Sequence, residues 1–429
     1  MSPGHCCLGL FYLEGKRMKD VGLVLGFDEA LAVLMGHAAG VRRMETEVVG
    51  LLAAAARVLA EDVVAERDQP PFDRATRDGF AVRAASSASE GELKVLGMVR
   101  AGEAWKGVVG DGEAVEIMTG APMPEGADAV VMVEHVLREG AVVRLAVGRS
   151  LRGGDNVVPR GSEAWQGAAV LGVGTKIGAA EIAMAAGCGR AELRVFARPP
   201  VAIVATGDEL VELDAVPEAW QIRNSNSYAL AAMVAAAGGE ALRMAVARDV
   251  KEEIRARIVE GKKAGLLVLS GGVSMGEYDL VEEVLAEFGA EFFFTGVRMQ
   301  PGKPVVFGRL PERGLDRACY FFGLPGNPIS TQVTFHCFVE PMLRAMGGVD
   351  GAGPQFVQAT LSEEAEGKAG LTRMLPARLT TDRVRPEVKV VGWQGSGDLA
   401  ANARANCYAV LPEGVERFGA GDVITVLLR

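Results

Sequence analysis

The sequence predicts a multidomain chain of α+β and α/β character, built around a central three-layer α/β/α domain with a small β module before it and another after it. Three observations carry that prediction. Residues 201–344 alternate short apolar runs with helical patterns, which is how a mostly parallel sheet covered on both faces is written. Residues 93–147 and 356–428 instead show only short apolar runs separated by turns, the texture of all-β modules. At 429 residues the chain is also too long for one ordinary core, so about three domains are expected.

In chain order, residues 27–38 (FDEALAVLMGHA) place Phe27, Ala30, Leu31, Leu34, Met35 and Ala38 on one face of a helix. The alanine-rich stretch 49–62 predicts a second helix. The run DQPPFDRATRDGFAV then reads as a loop entering a strand. Strands are expected near 93–99, 114–118, 129–133 and 141–147, and the glycine-rich 148–178 region is irregular with short strands. After Arg198-Pro199-Pro200 come strand 201–205, a helix near 226–237, a strand near 241–247, a helix over 251–263 and strand 266–269. A helix follows Asp279. Strands near 292–296, 303–308 and 319–323 precede a helix reaching about residue 344. Residues 346–355 form a linker, and the tail carries strands near 356–361, 374–380, 387–391, 407–411 and 422–428. No internal repeat is evident.

Composition excludes several classes. A 49% hydrophobic and 23% charged chain is globular, and no apolar run reaches the ~18 residues of a membrane span. The first 17 residues lack the features of a signal peptide, so the protein is expected to be cytoplasmic, and residues 1–19 read as a disordered tail or an over-called start. The six cysteines show no CxxC pair and the four histidines are scattered, which argues for structural thiols rather than zinc ligands. A formal net charge of −10 argues against nucleic-acid binding. The 55 glycines signal many tight turns and close backbone approaches.

The chemistry concentrates in the α/β segment. Glu209, Asp249 and Asp279 each follow a predicted strand at its carboxyl end, the edge where open α/β sheets bind ligands. Carboxylates converging there suit Mg²⁺. A single acid in such a place is better explained as a helix cap, as for Asp279, Asp208 or Glu209, but three on one edge reverse that balance. The loop SGGVS (Ser270, Gly271, Gly272 to Ser274) and the loop GLPGNPIS (Pro325, Gly326, Asn327, Pro328, Ser330) each set a side-chain-poor turn before a helix start, the makings of an anion cradle. Either loop alone would also serve as a plain turn; the two together point to a ligand with more than one anionic group. Lys303 and Arg298 supply cations nearby. Asp78, directly before Gly79, and Thr119 stand in turns that are read first as turn chemistry. No GxxxxGK[ST] loop, no GxGxxG opening and no nucleophile–histidine pair is present, and His336 lies within an apolar helix as a core residue. Electrostatic and metal-assisted work on a phosphate-bearing molecule remains.

From about residue 20 onward the motifs PPFDRATRDGFAVRA, IMTGAPMPEGADAVV, VAIVATGDEL, IRNSNSYAL, VLSGGVSMGEYD, MQPGKPVVFG, GLPGNPIS and YAVLPEG resemble, in order, the molybdopterin molybdenumtransferases. This MoeA family includes the gephyrin and plant Cnx E-domains. The resemblance implies that molybdate and adenylylated molybdopterin are substrates, that AMP is released as molybdenum passes to the dithiolene sulfurs, and that Mg²⁺ assists. It implies an elongated discontinuous domain at 20–61 plus 149–197, an inserted β module at 62–148, a molybdopterin-binding α/β domain at 198–345 and a β-barrel-like domain at 346–429. It further implies a homodimer with the cleft at the subunit interface and a molybdopterin adenylyltransferase as handover partner. By the same resemblance Glu209, Asp249 and Asp279 hold Mg²⁺ and orient water, while Asp78 and Thr119 act catalytically across the interface. Ser270 to Ser274, Lys303 and Pro325 to Ser330 hold phosphate and oxyanion, and Asn224 and Asn226 touch pterin or nucleotide. Gln300 stands where many relatives carry lysine, Glu163 where an aspartate is usual, and Arg373 and Arg378 stand in for a shifted basic strand. A scaffolding role and an adenylyltransferase activity are the alternatives. Retention of the acids argues against the first, and the additional domains against the second.

Overall fold

The computed structural model describes residues 23–87, 91–272, 280–311, 318–382 and 384–429. They fall into two compact units, one formed by the chain up to Thr46 together with Phe196–Arg429, the other by Glu47–Val195.

The larger unit holds a six-stranded sheet. Strands Glu240–Arg243, Pro200–Ala205, Leu266–Ser270 and Cys319–Leu324 lie side by side and parallel. Val306–Leu310 and Glu291–Phe294 continue the sheet antiparallel. Leu266 to Leu269 are fully buried, as a strand covered on both faces requires. Helix Phe27–Ala39 packs its buried face (Phe27, Ala30, Leu34, Ala38) into the core on one side of this sheet, with Phe335 and Phe338. Helices Lys251–Gly261 and Leu280–Glu287 cover the other side through Ile254, Ile258, Val281 and Leu285. The expected helix after Pro328 runs to Met346, but through a π-helical turn at Phe335–Val339.

The tail closes on itself. Strands Thr372–Thr381, Pro386–Val390, Phe356–Leu361, Val423–Leu428 and Cys407–Leu411 pair in a ring, the last returning to the first, so the β module at the carboxyl end is a five-stranded barrel. Met299–Gln300 adds a short parallel strand outside this ring, against Thr372–Arg373.

In the smaller unit six strands form one sheet, in the order Ala129–Met132, Gly79–Val82, Glu113–Ile117, Leu93–Val99, Val142–Leu145, Val136–Glu139. One expectation fails here. Residues 49–62 are not a helix: Thr46–Gly50 is a strand, Leu51–Ala54 a single 3₁₀ turn, and Ala56 takes φ 62°. Val58 and Leu59 bridge to Lys176 and Val195, and Val63–Val64 pairs with Ala169–Leu171. Pairing with distant strands overrode an alanine-rich helix propensity worth only tenths of a kcal/mol per residue. The longest helix described in this unit is instead Ala179–Gly187. Among the described residues no helix is long and apolar enough to cross a membrane. Cys188, Cys319, Cys337 and Cys407 are buried and unpaired.

Candidate active site

The parallel strands bring three chain segments to the carboxyl edge of the sheet. Ala205, Ser270 and Leu324 are aligned in register across adjacent strands. The Thr206 N–H donates to the Ser270 carbonyl at 2.9 Å, and the Gly271 N–H donates to the Leu324 carbonyl at 3.2 Å. These bonds hold the TGDE, SGG and LPGNP turns together. Gly271 and Gly272 take φ 91° and 66°. A Cβ on Gly271 would lie 2.4 Å from the Thr206 carbonyl oxygen, and one on Gly272 would lie 2.7 Å from Thr206 Oγ1. Only glycine tolerates both the conformation and the crowding. Within this turn the Gly271 N–H is committed to the neighbouring strand.

Above these turns opens a cleft of about 750 Å³. Glu209, Asn224, Asn226, Ser270, Gly271, Pro325, Gly326, Asn327 and Pro328 all line it, so most of the cofactor-binding residues expected from the sequence meet in one place. Asn226 donates through Nδ2 to Ser270 Oγ at 3.0 Å and to the Gly326 carbonyl at 2.7 Å, tying the two glycine loops together. Asn224 is buried; its Oδ1 accepts from the Ser227 N–H and its Nδ2 donates to Glu212, so it shapes the helix start beneath the cleft. Asn327 occupies the N-cap position before Pro328, but its side chain makes no capping bond. The Ile329 N–H is taken by the Ser396 carbonyl, and Ser330 is buried in the helix. Lys303 is exposed and its neighbour Pro304 lines the cleft. Ser274 and Asp279 lie outside the described residues.

The acids gather at one rim. Glu209 lines the cleft, and the Asp249 N–H donates to Asp208 Oδ1 at 3.3 Å. Burial, then the charge of Asp208, then that of Glu209 push the Asp249 carboxyl above its ordinary value. Repelling carboxylates of this kind are the donor set a hard divalent cation relieves. Among the described residues no three such groups stand close enough to enclose a metal unaided.

Asp78 and Thr119 belong to the smaller unit. The sequence singles them out separately and the fold joins them: Asp78 Oδ1 accepts from the Thr119 N–H at 2.7 Å and from Thr119 Oγ1 at 2.8 Å. Those two bonds hold the Asp78 carboxyl below its usual range. In the same unit Glu163 pairs with Arg74.

Four residues lining the cleft are not signalled by the sequence. Thr206 is buried and its hydroxyl has no partner among the described residues; its only signal was its place in TGDE. Arg223 lines the cleft, its guanidinium held by the Leu213 and Ala215 carbonyls. Gly397 and Leu399 reach the cleft from the barrel, a placement no local pattern announces.

A glycine-lined cleft at the carboxyl edge of a doubly covered sheet, with acids at its rim, defines an α/β protein built to hold a polar, anionic small molecule. Family models match in sequence: the MoeA N-terminal region (domain I and II) over residues 25–189, the "Probable molybdopterin binding domain" over 202–345, and the MoeA C-terminal region (domain IV) over 358–428. The chain is 35% identical over 382 residues to a molybdopterin molybdenumtransferase of Staphylococcus aureus strain MSSA476, covering 86% of this chain and 88% of the relative. A molybdopterin molybdenumtransferase of Nostoc sp. strain PCC 7120 is 35% identical over 394 residues, covering 90% and 89%. Its fold matches a molybdopterin biosynthesis moeA protein from Pyrococcus horikoshii OT3 with a TM-score of 0.75 at 29% identity, covering 95% of this chain and all of that one. The chain therefore belongs to the MoeA family of enzymes, the molybdopterin molybdenumtransferases.

Proposed function

We propose that the chain transfers molybdenum from molybdate to adenylylated molybdopterin, releasing AMP with the help of Mg²⁺. The observation that carries this reading is the meeting in one cleft of Glu209, with Asp208 and Asp249 near it in charge, and the glycine loops 270–271 and 325–328. The relatives' names supply the metal and the pterin.

Glu209 and Asp249 would hold Mg²⁺ with Asp279. The ion supplies charge neutralisation at the phosphoanhydride. Ser270 Oγ and the Asn327 amide bind and orient the anionic ligand, and Asn226 keeps the two loops at a fixed separation. Proximity and alignment of this kind contribute by replacing a bimolecular encounter with a positioned one. The buried Thr206 hydroxyl has a hydrogen bond to give to a group entering behind Gly271. The protein is read as a cytoplasmic homodimer receiving its substrate from an adenylyltransferase, with Asp78 and Thr119 working on the substrate of a second copy.

Incubation with adenylylated molybdopterin, molybdate and Mg²⁺ tests the proposal. AMP release that requires molybdate supports it. ATP consumption without molybdate would make the protein an adenylyltransferase, and binding without turnover would make it a scaffold.

A further inference from the structure

The opposite edge of the same sheet carries a second cavity, of about 520 Å³, within the usual range for small-molecule sites. It opens at the amino ends of the parallel strands, where Pro200 begins one strand and Gly265 precedes another. Strands of five to six residues separate it from the proposed active site, roughly 17–20 Å at the usual rise. Arg42, Arg43, Lys262, Lys263 and Arg309 line it, and among the described residues no acidic side chain does. On a chain of net charge −10, five cations gather around one cavity, three of them paired with acids beyond its wall.

The three arginines are pre-oriented from outside. Arg42 pairs with Glu45 at 2.8 Å, Arg43 with Asp350 at 2.9 Å, and Arg309 with Glu291 at 2.8 Å. Such exposed pairs are weak, so a phosphate loses little by displacing or sharing them. Guanidinium forks also match phosphate oxygens two at a time. The rest of the wall is apolar and aromatic. Tyr320 is half-buried and held rigid by Phe307, stacked at 5.9 Å and 14°, with Val41 and Met346 beside it.

We propose that this cavity binds a phosphorylated small molecule carrying a flat ring, a nucleotide being the class that combines both features. The cations take the phosphates, and the ring lies against Tyr320 and its apolar neighbours.

Photolabelling of the full-length protein with 8-azidoadenosine triphosphate, followed by peptide mapping, locates the ring. Label is expected on the peptides bearing Tyr320 or Met346. Calorimetric titration of ATP should weaken at least tenfold in the variant combining Arg42→Glu with Lys263→Glu, both exposed positions, while its circular dichroism stays unchanged. Label confined to the carboxyl-edge cleft, no label at all, or an unchanged affinity would overturn the proposal. Tripolyphosphate binding as tightly as ATP would remove the ring from it. Molybdate-dependent AMP release does not report on this cavity, so the two readings stand or fall separately.

Discussion

Asp78 and Thr119 are 41 residues apart in the chain and share one oxygen: Asp78 Oδ1 accepts both the N–H and the hydroxyl of Thr119. Two donors to a carboxylate favour its charged form, which is why its pKa is lowered. Because the folded value lies below the unfolded one, the contribution to stability is full above the ordinary carboxylate pKa of about 3.9. It is lost as pH falls through the folded value. Thr119→Ala removes the hydroxyl and leaves the N–H. The Asp78 pKa should then rise partway toward its usual value, as read by carboxyl-carbon NMR titration; an unmoved titration would refute the geometry.

Asn226 joins two loops that the sequence places 55 residues apart, from Ser270 to Pro325. Asn226→Ala deletes two neutral hydrogen bonds, each worth ~1 kcal/mol. Loss of ~1–2 kcal/mol in unfolding free energy is expected, with kcat/KM down by about tenfold because the loops no longer keep their spacing. A drop in stability with full activity would show that the bridge is structural only.

Asp249 has the opposite electrostatic situation. Burial and its acidic neighbours raise its pKa, so ionisation above the ordinary carboxylate range destabilises the metal-free fold, and that penalty lifts as pH falls through the raised value. Asp249→Asn should leave the metal-free melting temperature unchanged or higher, abolish the increment given by Mg²⁺, and slow turnover by at least roughly a hundredfold. An Mg²⁺ increment identical to that of the parent would remove Asp249 from the proposed ligand set.

Gly271 has no room for a side chain. Gly271→Ala combines φ 91° with a Cβ 2.4 Å from a backbone oxygen. Backbone strain of about 1–3 kcal/mol, plus displacement of the Thr206 turn, should lower the unfolding midpoint clearly in a denaturant titration. Gly140→Ala, also at positive φ but with open space around it, should cost less.

Much of the α/β unit was readable because its strands are continuous apolar runs and its helices carry a buried stripe, patterns that survive without knowledge of partners. Helix 27–39 was found from its spacing, and the 266–270 strand from four consecutive apolar residues. The 49–62 stretch was not readable, since alanine and leucine satisfy a helix as well as a half-buried strand, and the choice fell to Lys176 and Val195 across the unit. The same holds for the site. Glycine loops at strand ends signalled a cradle, yet nothing local showed that the Gly271 amide is already spent or that residues 397–399 arrive from the barrel.

What the residues determined on their own was the set of chemical parts: acids after strands, side-chain-poor turns, and an alternation that demands a parallel sheet. Parallel pairing then decided the rest, because it aligns the carboxyl ends of the four parallel strands on one edge and so turns segments far apart in sequence into a single cleft. Which carboxylates repel one another, which amides stay free and where a cavity opens are properties of distances between those segments. Distances of that kind are set by packing across the whole sheet, and no short stretch of chain contains them.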